Sequence, residues 1–301
     1  MTSTRGDPVP SSPLDRVAKF IGLSLVFATG PAFAQSAATT APSATQAREL
    51  VQSLLVPSPY RISERARAGE IRYQLGFEPA RSWSWPETGE QHVQALADKT
   101  VLTICKECGR EPAPSDTMLK RYLTANPWVQ SEDRQIAAFA RQSAQGLSVD
   151  RRMKSLVTAI QAHMTGPIDY RGYDNAVTAL RTRSGDCTEF AVLLAAVARA
   201  REIPTRVVYG IAYSSRFTGR NHVFSPHTWV QAWDGKRWVS YDAGLGQFDA
   251  GHIALFVGDG STSGLPAITR AIKGLRIRDA AELSSSASRA SPTLPSGHSP
   301  D

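Results

Sequence analysis

Apolar positions recur at three- and four-residue steps over much of the middle of this chain, then alternate toward its end. "DTMLKRYL" (116–123), "SEDRQIAAFARQSA" (131–144) and "SVDRRMKSLVTAIQAHM" (148–164) each place an Asp or Ser start signal before helically spaced apolar residues, and "NAVTALRTR" (175–183) reads as a short helix. "FAVLLAAVA" (190–198) is apolar on all sides, which predicts a central, buried helix. Asp186 and Glu189 have capping-box spacing, so that helix starts at Cys187, and Ile203-Pro204 closes it. After it, "TRVVYGIAYS" (205–214) reads as a strand, "SRFTGRNHVFSP" (215–226) as a loop, and "HTWVQAWDGKRWVSYDAG" (227–244) as two strands around Asp234-Gly235. Earlier in the chain, "EIRYQLGF" (70–77) and "KTVLTIC" (99–105) alternate as strands, with "SWSWPETGEQ" (82–91) a loop between them. Helices followed by an antiparallel sheet predict an α+β fold.

The ends of the chain read differently. Arg16 and Lys19 precede "FIGLSLVFATGPAFA", which closes on Ala32-Phe33-Ala34. A basic segment, a short apolar run and an A-x-A site predict a secretory signal peptide over 1–34. The run of about 15 apolar residues, interrupted by Gly30 and Pro31, is short for a membrane anchor, so no stable anchor is expected after cleavage. Residues 35–57 read as a linker, 58–115 as a small β-rich region, 116–280 as the main domain and 281–301 as a Ser/Pro-rich disordered tail. The predicted location is periplasmic or secreted.

The chain has 301 residues and a net charge of +7, without any basic run interleaved with aromatics, so nucleic acid is not an expected partner. The three cysteines, Cys105, Cys108 and Cys187, are an odd number for an oxidising compartment. Cys105 and Cys108 in "CKECG" provide two of the four ligands a structural zinc wants, and the histidines show no ligand spacing. A local disulfide is the expectation, with no metal and no cofactor, leaving Cys187 as the free thiol.

Cys187 alone fits two readings. A thiol at a helix N-terminus sits in the positive end of the macrodipole, near backbone N–H groups able to receive an oxyanion. A lone cysteine is also often a small buried hydrophobe, and Asp186 and Glu189 oppose a thiolate. The hairpin separates the two. With Asp234-Gly235 as a two-residue turn, Trp233 pairs with Lys236, Gln231 with Trp238, Trp229 with Ser240 and His227 with Asp242. A carboxylate beside an imidazole fixes its tautomer and leaves the other nitrogen as a base. Cys187, His227 and Asp242 then have the residue types and order of nucleophilic catalysis.

These residues resemble the transglutaminase-like superfamily, within the broader papain-like arrangement. The resemblance is carried by "GDCTEFAVLLAAVARAREIPTRVVYG" and "HTWVQAWDGKRWVSYDAGLGQ": a G-x-C helix start, an alanine-rich helix ending in R-x-x-x-I-P-x-R, an H-x-W-V strand and a W-V-x-x-D strand. It covers about residues 165–257. It implies Cys187 as nucleophile, His227 as base and Asp242 as orienting acid, with the cysteine-bearing helix packed on an antiparallel sheet. Two departures, Thr188 where many transglutaminases have tryptophan and Ala243-Gly244 after the aspartate, point away from a calcium-dependent cross-linker and toward the exported bacterial branch, whose activities are often hydrolytic. The expected reaction is attack on an amide of a protein or peptide substrate through a thioacyl-enzyme, hydrolysis favoured over transamidation. A catalytically silent peptide- or cell-wall-binding domain is the alternative. Tyr170 and Tyr173 are candidate oxyanion donors. His252 is expected to be structural, His222 exposed, and Trp229, Trp233 and Trp238 core. Oligomeric state is not legible.

Overall fold

The computed structural model describes residues 43–283 except Asp98 and Arg171. The signal peptide expected over 1–34 and nearly all of the expected tail lie outside the described residues. In chain order the elements are α1 (Ala44–Ser53), β1 (Val56–Pro57), α2 (Glu64–Ala68), β2 (Glu70–Phe77), β3 (Gln91–Ala95), β4 (Thr100–Ile104), α3 (Asp116–Arg121), α4 (Arg134–Ser143), α5 (Val149–His163), α6 (Ala176–Thr182), α7 (Cys187–Arg199), β5 (Thr205–Phe217), β6 (Arg220–Trp233), β7 (Trp238–Tyr241), β8 (His252–Gly258), α8 (Leu265–Gly274) and β9 (Leu275–Leu283).

Helix starts follow side-chain chemistry. Ser43, Ser115, Asp133, Ser148, Asn175 and Asp186 each accept a hydrogen bond from a backbone N–H in the first turn of their helix. The two sheets are antiparallel. One runs β1-β6-β5-β8 with β7 beside β6; the other runs β3-β4-β2-β9. In β5, every position from Thr205 to Tyr213 is buried, as befits a central strand covered on both faces. Successive residues of β6 alternate between the two faces: Val230 and Ala232 join the main core with α7, while Trp229 packs with Val208 and Ala254 on the other face. The second sheet is tied to the first by Gln91, whose side chain bonds both the N–H and the C=O of Ala254 (2.9 and 3.1 Å).

The R-x-x-x-I-P-x-R element is a brace. The guanidinium of Arg199, at the end of α7, donates to the carbonyls of Thr205, Thr124 and Asp259 at 2.9–3.0 Å. Arg206 pairs with Glu111 and Gln231 and lies 4.4 Å over the Trp238 ring. Burial lowers the Arg199 pKa to about 10.

Several expectations are corrected. Residues 44–53, placed within the linker, form α1 with a Ser43/Gln46 capping box. The small β-rich region is not a separate unit: its sheet is completed by β9 from the far end of the chain, which pairs with β2 from Glu70 to Phe77. Gln91, placed at the end of a loop, instead opens the strand Gln91–Ala95. The stretch 215–226 is not a loop, because β5 and β6 continue to a tight turn at Thr218-Gly219, both at positive φ (46° and 87°), the type I′ signature. That turn does not occur at Asp234-Gly235. There Trp233 pairs with Trp238, and the Asp234 carboxylate accepts from the N–H groups of Lys236 and Arg237 to close a four-residue loop.

Candidate active site

The Asp234 loop moves the hairpin register by two residues. Gln231 faces Ser240 and Val230 faces Tyr241, so the line of pairing brings Trp229, not His227, opposite position 242. A shift of two keeps every side chain on its face. β7 ends at Tyr241, and Asp242 then turns, its Oδ1 accepting from the N–H of Gly244 (2.7 Å) and Leu245 (3.0 Å). From there its Oδ2 still takes His227 Nε2 at 2.7 Å. The expected imidazole–carboxylate contact exists, reached diagonally rather than directly across the strands. His227 is buried and lies nearly parallel to Trp229, ring centroids 6.1 Å apart.

Cys187 is the first residue of α7, half-buried and the free cysteine. Gly244 shows how close the three groups lie. A Cβ there would stand 3.3 Å from Asp242 Oδ1, 3.4 Å from His227 Cε1 and 3.7 Å from Cys187 Cα. The step after the aspartate therefore packs close to both Cys187 and His227, and glycine leaves the least bulk there. Burial raises the Cys187 thiol pKa, Asp186 raises it further, a hydrogen bond from the Thr228 N–H lowers it, and Asp242 and Glu189 add to the rise.

The two acids that oppose a thiolate are themselves engaged. The Asp186 carboxylate caps α7 by accepting from the N–H of Thr188 (2.8 Å), and it also takes the Thr188 hydroxyl. Glu189 folds back to accept from the N–H groups of Asp186 and Asp174, both at 2.8 Å. Burial, with Asp186 nearby, raises Glu189 to about 8.

His252 is part of this cluster. Its Nε2 also meets Asp242 Oδ2, at 3.0 Å, and its Nδ1 lies 3.1 Å from Asp249 Oδ1, while Asp249 pairs with Arg67. Burial would lower the His252 pKa, but Asp242 and Asp249 on its two nitrogens outweigh it and raise the pKa to about 9. Burial works the other way on Asp242, yet the His227 and His252 imidazoles hold its carboxyl far below the usual range. His227, Asp242 and His252 offer ligand atoms within 4.8 Å of one another, two imidazoles and a carboxylate of the kind zinc accepts. Here those same atoms bond to each other, so an ion would have to displace the protons that join them.

Of the two tyrosines, Tyr170 lines the cleft with Cys187. Burial, Asp186 and Cys187 raise its pKa, so its hydroxyl keeps its proton. The Tyr173 hydroxyl is turned elsewhere: it donates to Gly260 O (2.8 Å) and meets the Tyr209 hydroxyl at 2.9 Å. Cys105 and Cys108 are joined as a disulfide beside the second sheet.

Residues 137–243 match the transglutaminase-like superfamily. This part of the chain belongs to that superfamily. The matched segment runs from within α4 through Cys187 to just past Asp242. No curated protein matches the chain. Among solved structures it is similar to a protein from Cytophaga hutchinsonii described as a candidate cysteine protease (14% identity, 72% of this chain and 84% of that one, TM-score 0.44). It is also similar to the periplasmic domain of TgpA from Pseudomonas aeruginosa (19%, 68% and 92%, 0.41) and to red sea bream transglutaminase (10%, 65% and 49%, 0.33).

The transglutaminase-like core places Cys187, His227 and Asp242 together and leaves Cys105 and Cys108 apart from them. His222, expected to be exposed, is half-buried in β6, with Nδ1 at 2.9 Å from the Tyr213 hydroxyl. Trp229 and Trp238 are buried, as expected of core residues. Sequence reasoning missed the contact of His252 with Asp242. The available signal was the acidic Asp249 three residues before it, but nothing local shows that β8 lies beside β5 and returns His252 to the end of the hairpin.

Proposed function

We propose that this chain is an exported transglutaminase-like cysteine enzyme that attacks amide carbonyls of protein or peptide substrates through a thioacyl-enzyme. The observation that carries the reading is the 2.7 Å His227–Asp242 bond beside a thiol at the start of a buried helix. His227 Nε2 is held by Asp242, which leaves Nδ1 as the base. As the substrate carbonyl approaches, the thiol proton passes to Nδ1 and the S–C bond forms. The resulting oxyanion is received by the Cys187 N–H, one of the first-turn donors without an intrahelical partner, and by the Tyr170 hydroxyl. The C–N bond then breaks and the imidazolium returns its proton to the departing amine. Water, deprotonated by His227, attacks the thioester; the C–S bond breaks, releasing the acid and the thiol. A lysine amine in place of water would give an isopeptide.

Hydrolysis is the favoured outcome. Thr188 follows the nucleophile where many transglutaminases have tryptophan, and its hydroxyl is bound to Asp186. Export is supported by the A-x-A pattern at 32–34 and by the Cys105–Cys108 disulfide, which suits an oxidising compartment. Among the described residues no helix is long and apolar enough to cross a membrane. The test is casein with a fluorescent primary amine, comparing native protein with Cys187→Ala. Unlabelled fragments that require Cys187 support the hydrolase. Label in intact casein turns the assignment to transamidation. Neither product, together with a thiol indifferent to His227→Ala, leaves a silent binding domain.

A further inference from the structure

We propose that the cleft over Cys187 accepts an extended peptide whose residue at the attacked carbonyl has an apolar side chain, and that α1 and α8 select it. This rests on the thiol reading above and names its substrate class. The cleft is about 550 Å³ in volume. Its floor holds Cys187, His227 and Gly244; its walls are Leu50 and Val51 from α1, Leu54 just after that helix, and Leu265, Ile268 and Ile272 from α8. Neither helix belongs to the family-matched segment 137–243.

Exposed apolar residues gather here. Leu50, Ile168 and Leu245, at 51%, 68% and 52% exposure, all line this one cleft. Singly, each would be ordinary; grouped around a concave site, they mark a surface built to bury apolar material. The lining contains no lysine or arginine, and its acidic residue is Asp186 at the floor. Hydroxyls on the walls are partly committed elsewhere: Tyr173 and Tyr209 bond to each other, and Thr269 bonds to Leu265 O within α8. Ser214 and Ser225 sit on the strands. A glutamine carboxamide seated between α1 and α8 would lose its water without equivalent partners, whereas a leucine side chain would gain burial. Beyond Tyr170 and Ile168 a second groove of about 400 Å³ runs along α1 past Ala44 and Arg48, which gives room for a chain rather than a single acyl group.

The test uses two vinyl sulfones, acetyl-Ala-Leu and acetyl-Ala-Gln, with iodoacetamide as a small reagent. In the vinyl sulfones the thiolate adds to the double-bond carbon β to the sulfone, next to the residue's Cα; the π bond breaks, and the proton goes to the carbon that bears the sulfone. Modification of Cys187 is followed by mass. The leucine reagent is expected to react at least about tenfold faster than the glutamine reagent, the scale on which apolar pockets discriminate. Leu50→Glu and Leu245→Glu, both at exposed positions, bring that ratio close to one, while Leu147→Glu, at a leucine outside the cleft, preserves it. Equal rates in the native protein, or a ratio unchanged in both rim variants, overturn the proposal and leave the thiol reading standing. Failure of all three reagents to modify Cys187 defeats both.

Discussion

At the scale of single residues, the site is a balance of charges around a thiol. Asp186 is the largest charged contributor to the raised Cys187 pKa, yet it also caps α7. Asparagine caps as well as aspartate without the charge. Asp186→Asn is therefore expected to shift the alkylation profile of Cys187 to lower pH and to raise the iodoacetamide rate at pH 7 several-fold, about 1 kcal/mol on the barrier. An unchanged profile would show that burial alone sets the thiol.

His252 acts through Asp242 and is a positioning residue. Its raised pKa, about 9 against an ordinary 6.5, means that folding favours its protonated form. That contribution to stability is complete below pH 6.5 and is lost as pH rises through 9. Glu189, raised to about 8, works in the same direction, since the fold prefers its protonated form and pays for ionisation. The Glu189 contribution is lost between pH 4.5 and 8 and that of His252 between 6.5 and 9, so native protein should lose thermal stability across both windows, and His252→Gln should flatten the part above pH 6.5 in a calorimetric series. Glutamine keeps a donor for Asp242 but removes the positive charge. The thiol alkylation profile should move to higher pH and kcat/KM should fall about tenfold, roughly 1.4 kcal/mol. A variant altered in stability alone, with its pH profile unmoved, would reduce His252 to packing.

At the scale of elements, the helix that carries the nucleophile is anchored at both ends by chemistry written beside it. The Asp186/Glu189 box fixes its start, and Gly185, at φ 149°, comes so close to Glu189 that a Cβ would lie 2.5 Å from that side chain. The Arg199 guanidinium fixes its end by joining three carbonyls from three segments. Arg199→Leu leaves those carbonyls without their donors and is expected to cost about 3 kcal/mol, read as a lower denaturation midpoint in urea. Activity per folded molecule should survive, because the brace lies at the end of α7 opposite Cys187. An unchanged midpoint would mean that water replaces the guanidinium without loss.

At the scale of the molecule, the chain's far end supports its beginning. β9 pairs with β2 along its whole length and buries Leu275 and Ile277. Ending the chain after Gly274 exposes the edge of β2 and these side chains, so the second sheet should lose protection from hydrogen exchange, with a single cooperative transition at lower temperature. Protection of β2 unaffected by that truncation would make the sheet independent of β9.

How much of this was legible in the sequence depends on the range of the interaction. Helix starts were readable because a Ser, Asp or Asn cap acts within three residues, and the strand at 70–77 because its alternation is local. The linker reading of 44–53 failed because α1 is polar along most of its length and gains order from the wall it makes over the cleft, a tertiary matter. The hairpin register failed by two because Asp234 bonds two N–H groups ahead of it and widens the loop, a choice that the Asp-Gly pair alone leaves open. The face was nonetheless right, since a period of two survives a shift of two, and so Asp242 still reaches His227.

The sequence by itself determined a capped, apolar helix that begins on a lone cysteine, and a hairpin with histidine and aspartate on one face, because capping, periodicity and alternation are properties of neighbours. Only the tertiary structure decided that His252 shares the Asp242 carboxylate, that Gly244 packs against Cys187 and His227, and that α1 and α8 line the cleft. Those contacts join residues far apart along the chain, and they depend on how sheets and helices pack rather than on any local pattern.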